Sequence, residues 1–162
     1  MLKEILIADF KAESAVTKKL MERMPETQLD FKPHEKSASV LRLAAHVAAL
    51  PKFIPLTVEL ETFDFSNLPK SFSPPMSKPE LLESFDFYTK NAIDALEKID
   101  ESSLQQTIKI YFGTHLISEK TRFNEIQNLI RHIVHHRGQL SVYLRLFNIP
   151  LPNMYGPTAD ER

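Results

Sequence analysis

The chain of 162 residues has no cysteine, no tryptophan and only three glycines. Without cysteine there is no disulfide, no thiolate zinc site and no cysteine nucleophile. Three glycines leave no room for a phosphate-cradling loop, and neither GxGxxG nor a Walker motif occurs. A charge excess is missing as well: Lys+Arg number 20 and Asp+Glu 21, with no basic run, so neither nucleic acid nor an anionic membrane has a field to attract it. The longest apolar run, LRLAAHVAAL, falls well short of the roughly 18 residues a membrane span needs. The N-terminal MLKEILIADFKAES is broken by Lys3, Glu4 and Asp9, which excludes a secretory apolar region. A cytoplasmic protein is expected. No HExxH occurs, so the glutamate base of a metalloprotease is missing and peptide hydrolysis is disfavoured.

What is present is helical periodicity. The length suits one domain spanning residues 1–162. Leu2, Ile5, Leu6, Phe10, Val16, Leu20 and Met24 recur at helical spacing and predict a helix over 2–24, stopped by Pro25. Ser37 or Ser39 offers an N-cap for a second helix around VLRLAAHVAAL, which Pro51 and Pro55 should end or kink near residue 50. A short further helix over 51–62 can begin at Pro51. The stretch FDFSNLPKSFSPPMSKPE is a proline-punctuated connection within the domain. Ser77 and Glu80 then resemble a capping box, opening a third long helix. Residues 104–119 are β-branched and aromatic around Gly113-Thr114 and predict a hairpin or extended excursion. A fourth long helix follows from about Thr121 to Phe147, with Asn148 as a left-handed stop before Pro150 and an irregular tail. The expected fold is all-α: a four-helix bundle with a short irregular or hairpin excursion before the last long helix.

Chemistry concentrates in HIVHHRGQL, where His132, His135 and His136 fall within five positions. At 100° per residue with Ile126 at zero, Leu129, Ile130, Ile133, Leu140, Leu144 and Phe147 share an arc from roughly 300° to 40°. His132 and His136, at about 240° and 280°, lie along one edge of that stripe, whereas His135, near 180°, faces away. The i, i+4 spacing stacks His132 over His136, with Cβ atoms roughly 6 Å apart, which suits chelation of one ion. Such pairs also arise by chance, and a histidine on an apolar face is more often a satisfied core residue than a ligand.

His46 sits in LAAHVAAL with no polar group near in sequence. A buried imidazole there needs a partner from another helix, since an unpaired one costs roughly 1–3 kcal/mol. His132 and His136 supply it if a metal joins all three, the ligand count of an open catalytic site. His34 in a polar loop and His115 in the excursion are weaker third ligands. Gln139 and Tyr143 continue the same helix edge and are candidates to orient a bound ligand, with ordinary packing as the plain alternative. Arg137, at about 20°, falls inside the core arc and should reach a buried carboxylate or backbone carbonyls. Gly138 suggests close approach of another backbone, such as the tail, and His135 should face solvent or an interface.

LAAHVAAL, RHIVHHRGQLSVYLRLFNIP and the closing LPNMYGPTADE together resemble the DinB-like family of DNA-damage-inducible bacterial proteins. The resemblance extends over the whole chain in layout, with strong matches confined to those three segments. It implies a four-helix bundle holding a divalent metal, zinc or nickel, on three histidines that match His46, His132 and His136. Relatives often carry Asn where this chain has Arg131, and loop tryptophans that are absent here. The resemblance also implies a homodimer and a small-molecule substrate. Similar proteins include S-transferases that use low-molecular-weight thiols such as bacillithiol, a mycothiol-dependent isomerase, and metal-dependent hydrolases. The leading expectation is therefore a metal-dependent S-transferase activating a thiol cosubstrate. The alternatives are a hydrolase of a small ester or amide, and a non-catalytic metal-binding stress protein. Ligand imidazoles must be neutral, so a free-histidine pKa near 6.5 predicts metal loss as pH falls through about 6.

Overall fold

Sequence periodicity and chain punctuation account for most of the architecture, which is available as a computed structural model describing residues 1–68 and 77–161. The first apolar stripe becomes α1 (Leu2–Glu22), burying Leu6, Phe10, Leu20 and Met21. It ends at Glu22, short of Met24, because the residue before a proline is pushed out of the helical region.

Ser39 caps α2 (Val40–Ala49), its hydroxyl accepting from the Arg42 N–H at 3.2 Å. Pro51 falls in a 3₁₀ turn over Leu50–Lys52, and the chain resumes as α3 (Phe53–Glu59) with Pro55 in its first turn, where a missing donor costs little. Taken through both prolines, Val40–Glu59 is long and apolar enough by composition to cross a membrane, a length that the run LRLAAHVAAL alone understates. Its Val40, Leu43, Ala44, Val47 and Ile54 belong to the main core of the bundle.

Residues 69–76 of the proline-punctuated connection lie outside the described residues. Beyond them Ser77 and Glu80 form a reciprocal capping box that starts α4 (Lys78–Lys98). After a 3₁₀ turn, β2 (Thr107–Phe112) and β3 (His115–Thr121) make the expected hairpin about Gly113, whose φ of +60° suits a residue without Cβ. Thr121 then caps α5 (Arg122–Leu146), and Asn148 closes it in the left-handed conformation at φ +58°.

The all-α expectation holds in outline, with a small sheet set beside the helices. A third strand, β1 (Thr62–Asp64), pairs in parallel with β2 and completes a three-stranded sheet of order β1-β2-β3. Phe63, Ile108 and Ile110 form a small second core there, onto which Phe53 and Phe65 pack; the Phe63 and Phe65 rings meet edge-on at 5.2 Å. Three residues carry too little alternation to announce a strand, and the partner lies more than forty positions away. Buried Arg122 ties this sheet to the bundle by donating to the Thr57 and Leu60 carbonyls and the Gln106 side chain.

Helix α5 packs against both α1 and α2, and so does α4. Two flanks of α5 therefore meet different neighbours, which decides where its polar residues go.

Candidate metal centre

On the α1 flank stands Arg137, 1% exposed, and its charge is answered as expected. One guanidinium nitrogen lies 2.6 Å from a Glu13 carboxylate oxygen and also donates to Thr17 Oγ1 and the Glu13 carbonyl. The other donates to the Tyr155 hydroxyl, which in turn donates to Glu13 at 2.8 Å. Tyr155 belongs to the tail, which is further held by Arg23–Glu161 and Arg145–Asp160 pairs. A desolvated cation thus gains a paired anion and satisfied donors, the condition under which burial is tolerable. Gly138 is exposed, and a Cβ built on it would meet nothing within 4 Å among the described residues, so the expected close backbone approach is not made by any of them. The tail reaches α5 through Arg137 and Arg145 instead.

On the α2 flank the histidines converge. His46 Nε2 lies 3.3 Å from His132 Nε2, which lies 2.8 Å from His136 Nε2. One ring nitrogen from each residue falls within a span of 4.8 Å. Two nitrogens bound at about 2.0–2.1 Å to one tetrahedral ion stand about 3.3–3.4 Å apart, so small adjustments of the rings would seat a divalent cation. His136 Nδ1 sits 2.7 Å from Gln139 Oε1. With the proton on Nδ1 donated to that amide oxygen, Nε2 is left as a lone pair facing the cluster, the arrangement by which outer partners fix a ligand tautomer.

His46 reaches the cluster for a different reason than expected. Its side chain is exposed at the rim of the bundle, not buried among apolar groups, because Ala44, Val47 and Ala48 take the inward positions of α2. Its Nε2 lies against that of His132. Loss of hydration there, then the neighbouring His136 and His132 and the positive Lys52 and Arg42, push its pKa from 6.5 to about 4. Burial, followed by His136 and His135, lowers His132 as well. These imidazoles stay neutral, the protonation state a metal requires.

The remaining histidines stand apart. His135 is exposed and only touches the flank of His136, with ring centroids 4.8 Å apart. His34 accepts the Lys36 N–H within its own loop, and His115 begins β3. Gln139 and Tyr143 line a cavity of about 450 Å³ that opens onto His46 and His136. The Tyr143 hydroxyl donates to the Ala38 carbonyl at 3.3 Å, fastening α5 to the segment before α2. Lys36, Ser37 and Arg42 complete the polar lining. Sequence reasoning passed over Lys36 and Arg42. Both lie in unremarkable polar surroundings, though Arg42 stands four residues before His46 and so shares its helix face.

Fold and site together define a helical bundle with a three-histidine centre able to hold a divalent metal. The chain belongs to the DinB family, whose family model matches residues 1–162. It is 23% identical over 163 residues to YrdA of Bacillus subtilis strain 168, an uncharacterized protein, covering 96% of this chain and 89% of that one. A DinB-like protein from Bacillus cereus ATCC 10987 superposes with a TM-score of 0.76 at 18% identity, over 94% of this chain and 97% of the other. YfiT from Bacillus subtilis, described as "a probable metal-dependent hydrolase with an unusual four-helix bundle topology", superposes with a TM-score of 0.67 at 18% identity, over 91% and 88% of the two chains. At these identities the superpositions establish the shared fold.

Proposed function

We propose that this protein is a cytoplasmic metal-dependent enzyme that transfers a small thiol to an electrophilic substrate, with His46, His132 and His136 as the metal ligands. One observation carries the reading. Three imidazoles converge beside an open cavity whose lining, among the described residues, holds no carboxylate. A divalent ion held there lowers the pKa of a thiol or water that approaches it, and stabilises a thiolate the more strongly. A free thiol starts from a pKa far below that of water, so metal-assisted deprotonation would ask less of a protein base for a thiol than for water. Gln139 Oε1, 2.7 Å from His136 Nδ1, would favour the tautomer that presents Nε2, and the Tyr143 hydroxyl ties α5 to the Ala38 carbonyl at the cavity wall. In the transfer, sulfur forms a bond to carbon, the leaving group departs with its electron pair, and the thiol proton passes to solvent.

Hydrolysis of a small ester or amide is the second reading, favoured by the description of YfiT and served by the same three histidines. Purified protein should be assayed with bacillithiol or glutathione and a chromogenic aryl halide, and separately with a nitrophenyl ester and no thiol. Conjugation that requires added thiol, and that is lost on chelation and in His132→Ala, is the expected result. Ester hydrolysis without thiol, equally lost in His132→Ala, would replace transfer with hydrolysis. Activity in neither assay, together with no metal uptake, would sink both.

A further inference from the structure

We infer that the cavity beside the histidines is a binding subsite for an anionic group, a carboxylate or phosphate, held by Lys36 and Arg42. The inference deepens the metal-site reading and rests on it for what the rest of the ligand would face. The cavity is bounded on one side by the α2 N-terminal segment and on the other by α5. Its charged lining is of one sign: Lys36 and Arg42 are both present and neither Asp nor Glu occurs among the described residues. Several exposed cations elsewhere on this chain are matched, as in Lys11–Glu97, Lys18–Asp86, Lys90–Asp94 and Arg145–Asp160. Lys36 and Arg42 have no ion pair among the described residues, although the chain carries 21 acidic side chains against 20 basic ones.

The neighbours fit the same chemistry. Ser37 adds a hydroxyl to the lining, and Gln139 an amide whose oxygen is engaged by His136, which leaves its NH₂ as a donor. A guanidinium, an ammonium and neutral donors around one cavity favour an oxyanion, which Arg can meet with paired hydrogen bonds. A neutral ligand of the same size would leave the two cations unanswered. Because His46 and His136 share the wall, an anion seated on Lys36 and Arg42 would lie in the same cavity as two of the three imidazoles. The subsite would thereby select small molecules carrying a negative group a few bonds from the reacting atom.

Titration of ¹⁵N-labelled full-length protein, with and without one equivalent of zinc, tests this using succinate, its neutral analogue succinamide, and inorganic phosphate. Succinate, phosphate or both should shift the amides of residues 36–42 and 139–143 saturably, while succinamide leaves them unmoved. Arg42→Ala should weaken anion binding by about five- to tenfold, as expected for loss of a charge-assisted contact near the surface, and Lys36→Ala/Arg42→Ala should abolish it. Both residues are exposed, so the variants are expected to keep the wild-type amide spectrum elsewhere. Which of the two anions saturates identifies carboxylate or phosphate as the group preferred. Equal shifts with succinamide, undiminished binding in the double variant, or no response to either anion would each overturn the assignment. Cobalt uptake, followed by its visible spectrum, scores the histidine centre independently: a chain that binds succinate through Arg42 but takes up no cobalt keeps the subsite and loses the metal reading.

Discussion

Replacing His46 by alanine separates a metal ligand from a structural histidine, because the two roles differ in sign and size. The ring is exposed at the bundle rim, and the core positions of α2 belong to its neighbours Ala44, Val47 and Ala48. Truncating a surface side chain typically changes stability by no more than about 0.5 kcal/mol. For a chain of this length about 1 kcal/mol moves the melting temperature by roughly 2–4 °C, so the metal-free variant should melt within about 2 °C of the metal-free wild type. Metal changes the comparison. At a free concentration about a hundredfold above its dissociation constant, an ion that binds only the folded state adds about 2.7 kcal/mol, or roughly 5–11 °C. His46→Ala takes away the ligand that α2 would contribute to the proposed centre and should lose most of that increment. The measurement is thermal denaturation in chelator and in added zinc, with metal content determined on the same samples. A variant that keeps both stoichiometry and metal-dependent shift would remove His46 from the centre. A variant that melts 5 °C or more below wild type in chelator would show that the side chain is structural, and the assignment would fail from the other direction.

Gln139→Ala should weaken metal affinity by about 10–100-fold with little change in metal-free stability, since it removes the acceptor that fixes His136, and competition with a fluorescent chelator reads this directly. Gly138→Ala should stabilise the protein by about 0.5–1 kcal/mol, because the added Cβ meets nothing and the helix gains propensity; a lower denaturation midpoint would show that this face is occupied in solution. Glu13→Ala should cost about 3–5 kcal/mol by leaving Arg137 buried without its anion, measured by urea denaturation, and a loss below 1 kcal/mol would show that Thr17 and Tyr155 suffice. The depressed pKa values of His46, at about 4, and His132 mean that the unfolded chain takes up these protons before the folded one. Metal-free stability should therefore be level above about pH 6.5 and fall as pH drops from there toward 4, and metal should be retained below the pH near 6 expected for free imidazoles. Urea midpoints across that range for wild type and the His46→Ala/His132→Ala variant check the sign; parallel profiles would refute it.

The sequence made the bundle legible wherever punctuation and periodicity coincide. Ser39, the Ser77–Glu80 box, Thr121 and Asn148 all stand at the helix ends their chemistry suggests. The helix arc of α5 also sorted its polar residues correctly, with Arg137 inward to a carboxylate and His135 outward. What stayed hidden depends on contacts distant in sequence. Strand β1 exists because β2 offers an edge and Phe53 and Phe65 cover Phe63, none of which a three-residue window reveals. His46 was selected by supposed burial, yet it is exposed and drawn to the other histidines at the rim. Lys36 and Arg42 could have been found only by asking which residues share a face with His46 and which follow His34 into the segment leading to α2.

The two flanks of α5 show opposite solutions to the same electrostatic problem. Toward α1, a single buried cation is neutralised inside the protein by Glu13, with Tyr155 closing the network, so nothing from outside is needed. Toward α2, three imidazoles meet a rim that includes Lys36 and Arg42, with no carboxylate in the cavity lining among the described residues. Histidine ligands bring no negative charge, so a divalent cation held by three of them keeps its full charge, in contrast to sites built from Asp or Glu. Added beside two side-chain cations, that charge would make the cavity positive, and a cleft lined by one sign of charge favours ligands of the other. Charge balance must then come from whatever enters. A thiolate on the metal side and an oxyanion on the Arg42 side would together supply it, as Glu13 supplies it from within the protein for Arg137.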